Sequence, residues 1–382
     1  MPEQQVTHGP GGRILTNTNV WSPDSEWLVY DTRSDRDGSV FDGSSIERVR
    51  VKTGEVQRLF EAKNAAHVGV ATHHPSDNKI VFIHGPENPT LDWSYGVSHR
   101  QGMVVSTDTL VALPLDARDL TAPGTPGALR GGSHVHVWHP KGDWLSYTYN
   151  DALENSGIRE VGVCFPKAVS VPKTHPRNHD STHFSFLATR STPNPKPGGD
   201  EIRRAFEEGW VGSSRTLAFL GETLKADGTP HVEIFLAEGL EMQRPTQRRL
   251  THTKNGIALA PRHWVRSSPD GSQLAFLMAD DAGLIQLWLI SPSTGTLRQL
   301  TRNKFPITSA FTWHPDGSQL AVIADGSVMT IDTATGKMRR LTKRTSDAPL
   351  ALACVFSPDG KQLAFLRHIS GSNQIYIVPS ST

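Results

Sequence analysis

Short stretches in which apolar and polar residues alternate run the length of the chain, and pairs of them are joined by one recurring kind of turn. The phrase is a strand, then Ser or His, Pro, Asp, Gly, then a second strand. It reads VWSPDSEWLVY from Val20, ATHHPSDNKIVFI from Ala71, HVWHPKGDWLSYTY from His136, VRSSPDGSQLAFL from Val265, FTWHPDGSQLAVI from Phe311 and VFSPDGKQLAFL from Val355. Alternation with period two marks strands with one buried face. Proline presets φ, Asp accepts backbone N–H groups and Gly supplies positive φ, so each phrase predicts a tight hairpin.

A second phrase follows: strand, Thr-Gly turn, strand, Arg-x-Leu-Thr. It is seen in Ile46–Phe60, Leu287–Thr301 and Val328–Thr342. The two phrases together give four antiparallel strands, which is one blade of a β-propeller. The hairpin turns recur about 43 to 65 residues apart, a blade's length. One long gap, from Tyr149 to Val265, takes a degenerate copy in Gly209–Glu222 and His231–Thr251. The predicted fold class is all-β: a seven-bladed β-propeller of four-stranded antiparallel blades, one domain over 1–382. The last blade lacks its Arg-x-Leu-Thr strand, whereas Arg13-Ile14-Leu15-Thr16 stands before the first turn. An N-terminal strand, taken as this segment, is therefore expected to close the last blade and remove free sheet edges. The stretch 172–210, proline-rich and ending in a segment of helical spacing at 200–208, reads as an insertion that forms a lid or substrate wall.

Composition narrows the function classes. A formal net charge of +1, with no basic stripe, argues against nucleic acid. No apolar run is long enough to span a membrane, and the N-terminus has no apolar signal-peptide core, so a cytoplasmic location is expected. Cys164 and Cys354 lie in apolar runs and read as buried free thiols.

The blade phrase resembles that of the TolB-like and WD40-like propellers over nearly the whole chain. AHVGV (66–70), IHGPENP (83–89), RGGSHVHV (130–137), PRHWVR (261–266) and QLWLISP (286–292) are similar to a bacterial family typified by YidR, for which no function is assigned. More distantly, histidines on inner strands are similar to oligogalacturonate lyase, a carbon–oxygen lyase that holds a divalent metal in its channel. This resemblance implies a metal and a carbohydrate substrate.

In a blade the strand before the turn lines the channel, so counting back from each turn proline selects channel residues. His134 and His136 stand six and four residues before Pro140, His263 six before Pro269 and His67 eight before Pro75. A His-x-His pair on one strand face, joined by His67 and His263 from other blades, is a metal-binding arrangement suited to Mn, Zn, Fe or Ni. Arg130 and Arg262 flank these strands and can clamp a carboxylate, and His183 joins them as a catalytic candidate. Glu207 and Glu208 offer a base, and Trp93, Tyr95 and Trp210 offer stacking faces, although core packing is the commoner use of such residues. His73, His74, His139 and His314 read as turn residues. The function expected is a metal-dependent enzyme with its site in the channel, acting on a small-molecule or oligosaccharide substrate, acidic or sugar-derived, by β-elimination. The alternative is a non-catalytic propeller that binds a protein or carbohydrate partner.

Overall fold

The computed structural model describes residues 2–153 and 157–381. Seven sheets follow one another along the chain. Blade 1 holds Trp27–Asp31, Ser45–Arg50 and Val56–Glu61, with an irregular inner segment bridged at Ile14–Asp31 and Trp21–Leu28. Blades 2 to 4 open with inner strands Val68–His73, Gly131–Trp138 and Arg204–Trp210. Blades 5 to 7 open with Arg266–Ser267, Thr312–Trp313 and Pro349–Phe356. Adjacent strands within each blade are antiparallel and in sequence order, as hairpins require. The apolar core lies between neighbouring blades. Ile234, Leu274 and Phe276, for example, pack blade 4 on blade 5 with none of their surface exposed.

The turns behave as their composition dictates. Ser22 Oγ accepts the Trp27 N–H at 2.9 Å and donates to Asp24 Oδ1, which accepts the Glu26 N–H at 3.0 Å. Ser268 with Asp270, and Ser357 with Asp359, repeat this. Where His replaces Ser, the ring does more. His74 Nδ1 accepts the Ser76 and Asp77 N–H groups, which puts the proton on Nε2, and Nε2 donates at 2.8 Å to the Gly142 carbonyl in the next blade's turn. His139 reaches Ser214 O and His314 reaches Gly360 O in the same way. Three tryptophans at inner-strand ends also cross between blades: Trp21 Nε1 to Val355 O, Trp210 to Val137 O and Trp313 to Arg266 O, at 3.0–3.1 Å.

The ring closes through the N-terminus, but not through the expected segment. Gln4 and Gln5 pair with Ile377 and Tyr376, the Val6 N–H donates to Ile375 O at 2.8 Å, and Thr7 Oγ1 accepts the Ile375 N–H. Arg13–Thr16 instead enters blade 1, where Ile14 exchanges two backbone bonds with Asp31. Ile14 and Leu15 are buried there, which fixes their place more firmly than sequence likeness to other blades' outer strands. The helix expected at 200–208 is absent. Arg204–Trp210 is the inner strand of blade 4, held extended by pairing with Leu217–Leu224. The stretch 172–210 thus includes two blade strands, because Ser181–Leu187 completes blade 3.

Candidate functional site

All hairpin turns of the Pro-Asp-Gly kind lie at one end of the channel. The starts of the inner strands and the links from second to third strands must lie at the other. The inner strands of blades 2, 3 and 4 each carry a bulge marked by a left-handed residue: Val70 at φ 58°, Val135 at φ 59° and Glu207 at φ 54°. A β-branched residue in this region is strained, and such strain gathers at functional sites.

The bulge at Val135 undoes the expected His-x-His pair. His134 faces Thr148 across the ladder, and the pairing resumes only at Val137 with Ser146. Thr148 Oγ1 donates to Glu208 Oε2 of blade 4 at 3.1 Å, so this face looks toward blade 4. His136 goes the other way. Its Nε2 lies 2.9 Å from Ser133 Oγ, which donates to Asp116 Oδ2, and a side chain at Gly102 of blade 2 would strike the ring. Period two applies only while the pleat is unbroken.

His263 is also not free to bind a ligand: Nδ1 meets the Pro261 carbonyl at 3.2 Å and Nε2 accepts the Leu277 N–H at 3.1 Å. Burial holds its pKa down to about 4. His67 is half-buried, edge-on to Tyr95 with ring centroids 6.1 Å apart. Among the described residues no three His, Cys, Asp or Glu are grouped to hold a metal ion. The four histidines therefore do not form the expected centre. His183 lies on the outer strand of blade 3, its Nδ1 2.8 Å from Thr182 Oγ1, away from the inner strands. Arg130 is paired with Asp151 at 2.8 Å.

What gathers at this mouth is guanidinium. Arg100 and Arg159 hold the same place in adjacent blades, each immediately before the third strand. Burial, then the like charges of Arg204, Arg262 and Arg100, lowers Arg159 to about 10. Burial lowers Arg100 as well, with Arg33 and Arg262 adding to the effect. Arg262 donates to Glu207 Oε1 at 2.7 Å and lies over the Trp264 ring. Arg33 is paired with Asp31 at 2.7 Å. Among the described residues neither Arg100 nor Arg159 has a carboxylate within ion-pair distance, and the Nε of each is buried without a hydrogen-bond partner. Arg100 stands over Phe41 and Tyr95, 4.8 and 5.1 Å from the ring centroids. His134 is buried in this field with both ring nitrogens unpartnered. Burial, then Arg100 and Arg159, drives its pKa far down and leaves it neutral.

Of the sequence candidates, Arg262, Glu207, Tyr95 and His134 belong to this mouth, whereas His136, His183 and His263 do not. Arg33, Arg100 and Arg159 were not singled out by the sequence. The signal available was an arginine at one register point in two neighbouring blades, legible only once the third strands are placed.

Comparison with known proteins is consistent with this architecture. Residues 67–179 match a family described as protein of unknown function (DUF3748). The chain is 46% identical over 396 residues to the uncharacterized protein YidR of Escherichia coli (strain K12), covering 95% of this chain and 94% of that one. Among solved structures, an oligogalacturonate lyase in complex with manganese superposes with a TM-score of 0.66 at 14% identity, covering 99% of this chain and 96% of the lyase. An oligogalacturonate lyase from Vibrio parahaemolyticus gives 0.63 at 12% identity, covering 98% and 92%. At these identities the likeness is one of fold. Among the described residues no helix is long and apolar enough to cross a membrane.

Proposed function

We propose that this chain, which belongs to the YidR family, takes a small acidic, sugar-derived ligand at the arginine-lined mouth of its channel. The observation that carries this reading is the pair Arg100 and Arg159: two half-buried guanidinium groups from adjacent blades, without a carboxylate of their own among the described residues. Uncompensated buried cations are costly, and an anionic ligand removes that cost. A planar guanidinium also matches a carboxylate in two-pronged fashion. Tyr95 and Phe41 beside Arg100, and Trp264 beside Arg262, give apolar faces of the kind that pack on sugar rings.

The chemistry such a mouth supports is proton removal next to a carboxylate. Guanidinium neutralises the carboxylate and stabilises the charge that develops as the α-proton leaves, as in the first half of a β-elimination. Glu207, held in the left-handed region beside Arg262, is the candidate base. The manganese of the lyase neighbour has no matching donor set among the described residues, so no step runs through a metal. A second reading, a carbohydrate binder without turnover, is favoured by the tie between Glu207 and Arg262 and by the closed position of His134.

Titration calorimetry with trigalacturonate, with and without a chelator, tests the proposal. Binding is expected that weakens with salt, ignores the chelator and falls by about a hundredfold in an Arg100→Met/Arg159→Met variant. Release of an unsaturated uronate, read by ultraviolet absorbance, marks the lyase, and binding alone marks the second reading. No binding of any acidic saccharide would overturn both.

A further inference from the structure

The segment between the second and third strands of blade 2, residues 85–100, delivers Tyr95 and Arg100 to the mouth. Loops of this length are ordinarily mobile. Here the loop is gripped at both ends by arginines from elsewhere in the chain. Arg118, only 3% exposed, donates from Nη2 to the carbonyls of His99 and Arg100 at 3.2 and 2.6 Å. Arg177 donates from Nη1 and Nη2 to the carbonyls of Glu87 and Asn88 at 2.6 and 2.8 Å. Trp93 is held between them. It stacks on His99 with centroids 3.8 Å apart, and both guanidinium groups stand over its ring, at 5.4 Å for Arg118 and 5.9 Å for Arg177.

The gripping residues are themselves anchored outside the regular blade plan. Ala117–Arg118 pairs in parallel with Ala128–Leu129, an extra two-stranded sheet, and the Arg118 backbone exchanges two bonds with His179. Asp116 Oδ1 accepts the Gly102 N–H at 2.6 Å, which secures the chain just past Arg100. The loop is seated on Gly132 of the blade 3 inner strand. A methyl group there would strike the Val97 carbonyl, so this position admits no side chain.

We infer that Arg118 and Arg177 are positioning residues, and that the segments around 115–130 and 170–180 act as an internal brace that aims Arg100 at the ligand. This inference rests on the functional reading above for what Arg100 meets, but the bracing itself does not. In blades 5 and 6 the link between second and third strands is a turn of a few residues and needs no such support. Two cations given over to holding carbonyls fit the need to fix one guanidinium against the repulsion of its neighbours.

The test uses the full chain with Arg118→Met, Arg177→Met and Gly132→Ala, read two ways. Hydrogen exchange across 85–102 is expected to speed up in all three variants while the other blades keep their protection. Affinity for trigalacturonate is expected to fall on the order of tenfold on Arg118→Met, with Arg118→Lys recovering part of it. In an Arg100→Met background the same Arg118 change is expected to cost nothing further, because it acts through Arg100. Unchanged exchange over 85–102, or equal Arg118 effects in both backgrounds, would overturn the inference. If Arg118→Met does not fold, Arg177→Met, whose side chain is less buried, decides by the same readouts. A wild-type chain that binds no acidic saccharide defeats the functional reading alone and leaves the exchange measurement to decide the brace.

Discussion

The two mouths of the channel are built by opposite rules. At the turn end a cavity of about 460 Å³ is walled by Trp21, Trp138, Trp210, Trp313 and Phe356 with the turn prolines, and three of the four indoles tie one blade to the next. At the far end Arg33, Arg100, Arg159 and Arg262 come together, and among the described residues only Asp31 and Glu207 are paired against them. The turn end is made by the repeated phrase, so each blade contributes the same kind of residue and the result is structural. The far end is made by connections that differ from blade to blade, and there four arginines gather against two carboxylates among the described residues. Repetition serves closure, and departure from it builds the mouth at which we propose a ligand binds.

The sharpest division concerns stability. Trp21→Ala opens a cavity at the junction of blades 1 and 7 and loses the bond to Val355, so a loss of about 3–5 kcal/mol is expected in calorimetric unfolding. Affinity for trigalacturonate should not change; if it falls, the two mouths are not independent.

Glu208 lies between the mouths, and its expected effect is smaller and depends on pH. Burial, with the charge of Glu207 adding to it, raises its carboxyl from 4.5 to about 7. The folded state therefore holds a proton that the unfolded chain has already released. The stabilising contribution is complete below about pH 4.5 and lost as pH rises through 7. Glu208→Gln, which is neutral throughout, should match wild type near pH 4 and exceed it by on the order of 3 kcal/mol above pH 8. Denaturant unfolding at both pH values checks this, and a variant less stable at high pH would show the group to be ionised in a compensated site. Burial also depresses His136 to about 3 and His263 to about 4, which acts with the opposite sign: stability is kept above 6.5 and lost as pH falls below it.

The least effect is expected from Arg130→Ala. Its partner Asp151 is close, but the Arg130 side chain is 45% exposed, and such pairs contribute about 1 kcal/mol or less. A large loss of affinity in this variant would place Arg130 at the ligand site in spite of its tie to Asp151.

The blades were legible in the sequence because their causes are local. Pro, Asp and Gly at fixed offsets specify a turn from neighbouring residues alone, and alternation specifies the faces of the strands that meet there. Even the degenerate fourth blade was readable from Leu217–Leu224, whose apolar run survives the loss of its proline. The site was less legible. Spacing put His134 and His136 on one face, and a single extra residue at Val135 turned them to opposite sides of blade 3. A bulge does not announce itself in composition when the residue in the left-handed region is valine. The spacing over 200–208 suggested a helix, yet Arg204–Trp210 became a strand once blade 3 and blade 5 supplied partners on either side.

The chain by itself determined how many blades form and where each hairpin turns, since those depend on contacts between residues a few positions apart. Only the closed ring decided which side chains share a mouth, because that depends on bulges, on the seating of one loop on a glycine and on charges brought together from five blades. Such pairings join residues remote in the chain, and no local pattern records them.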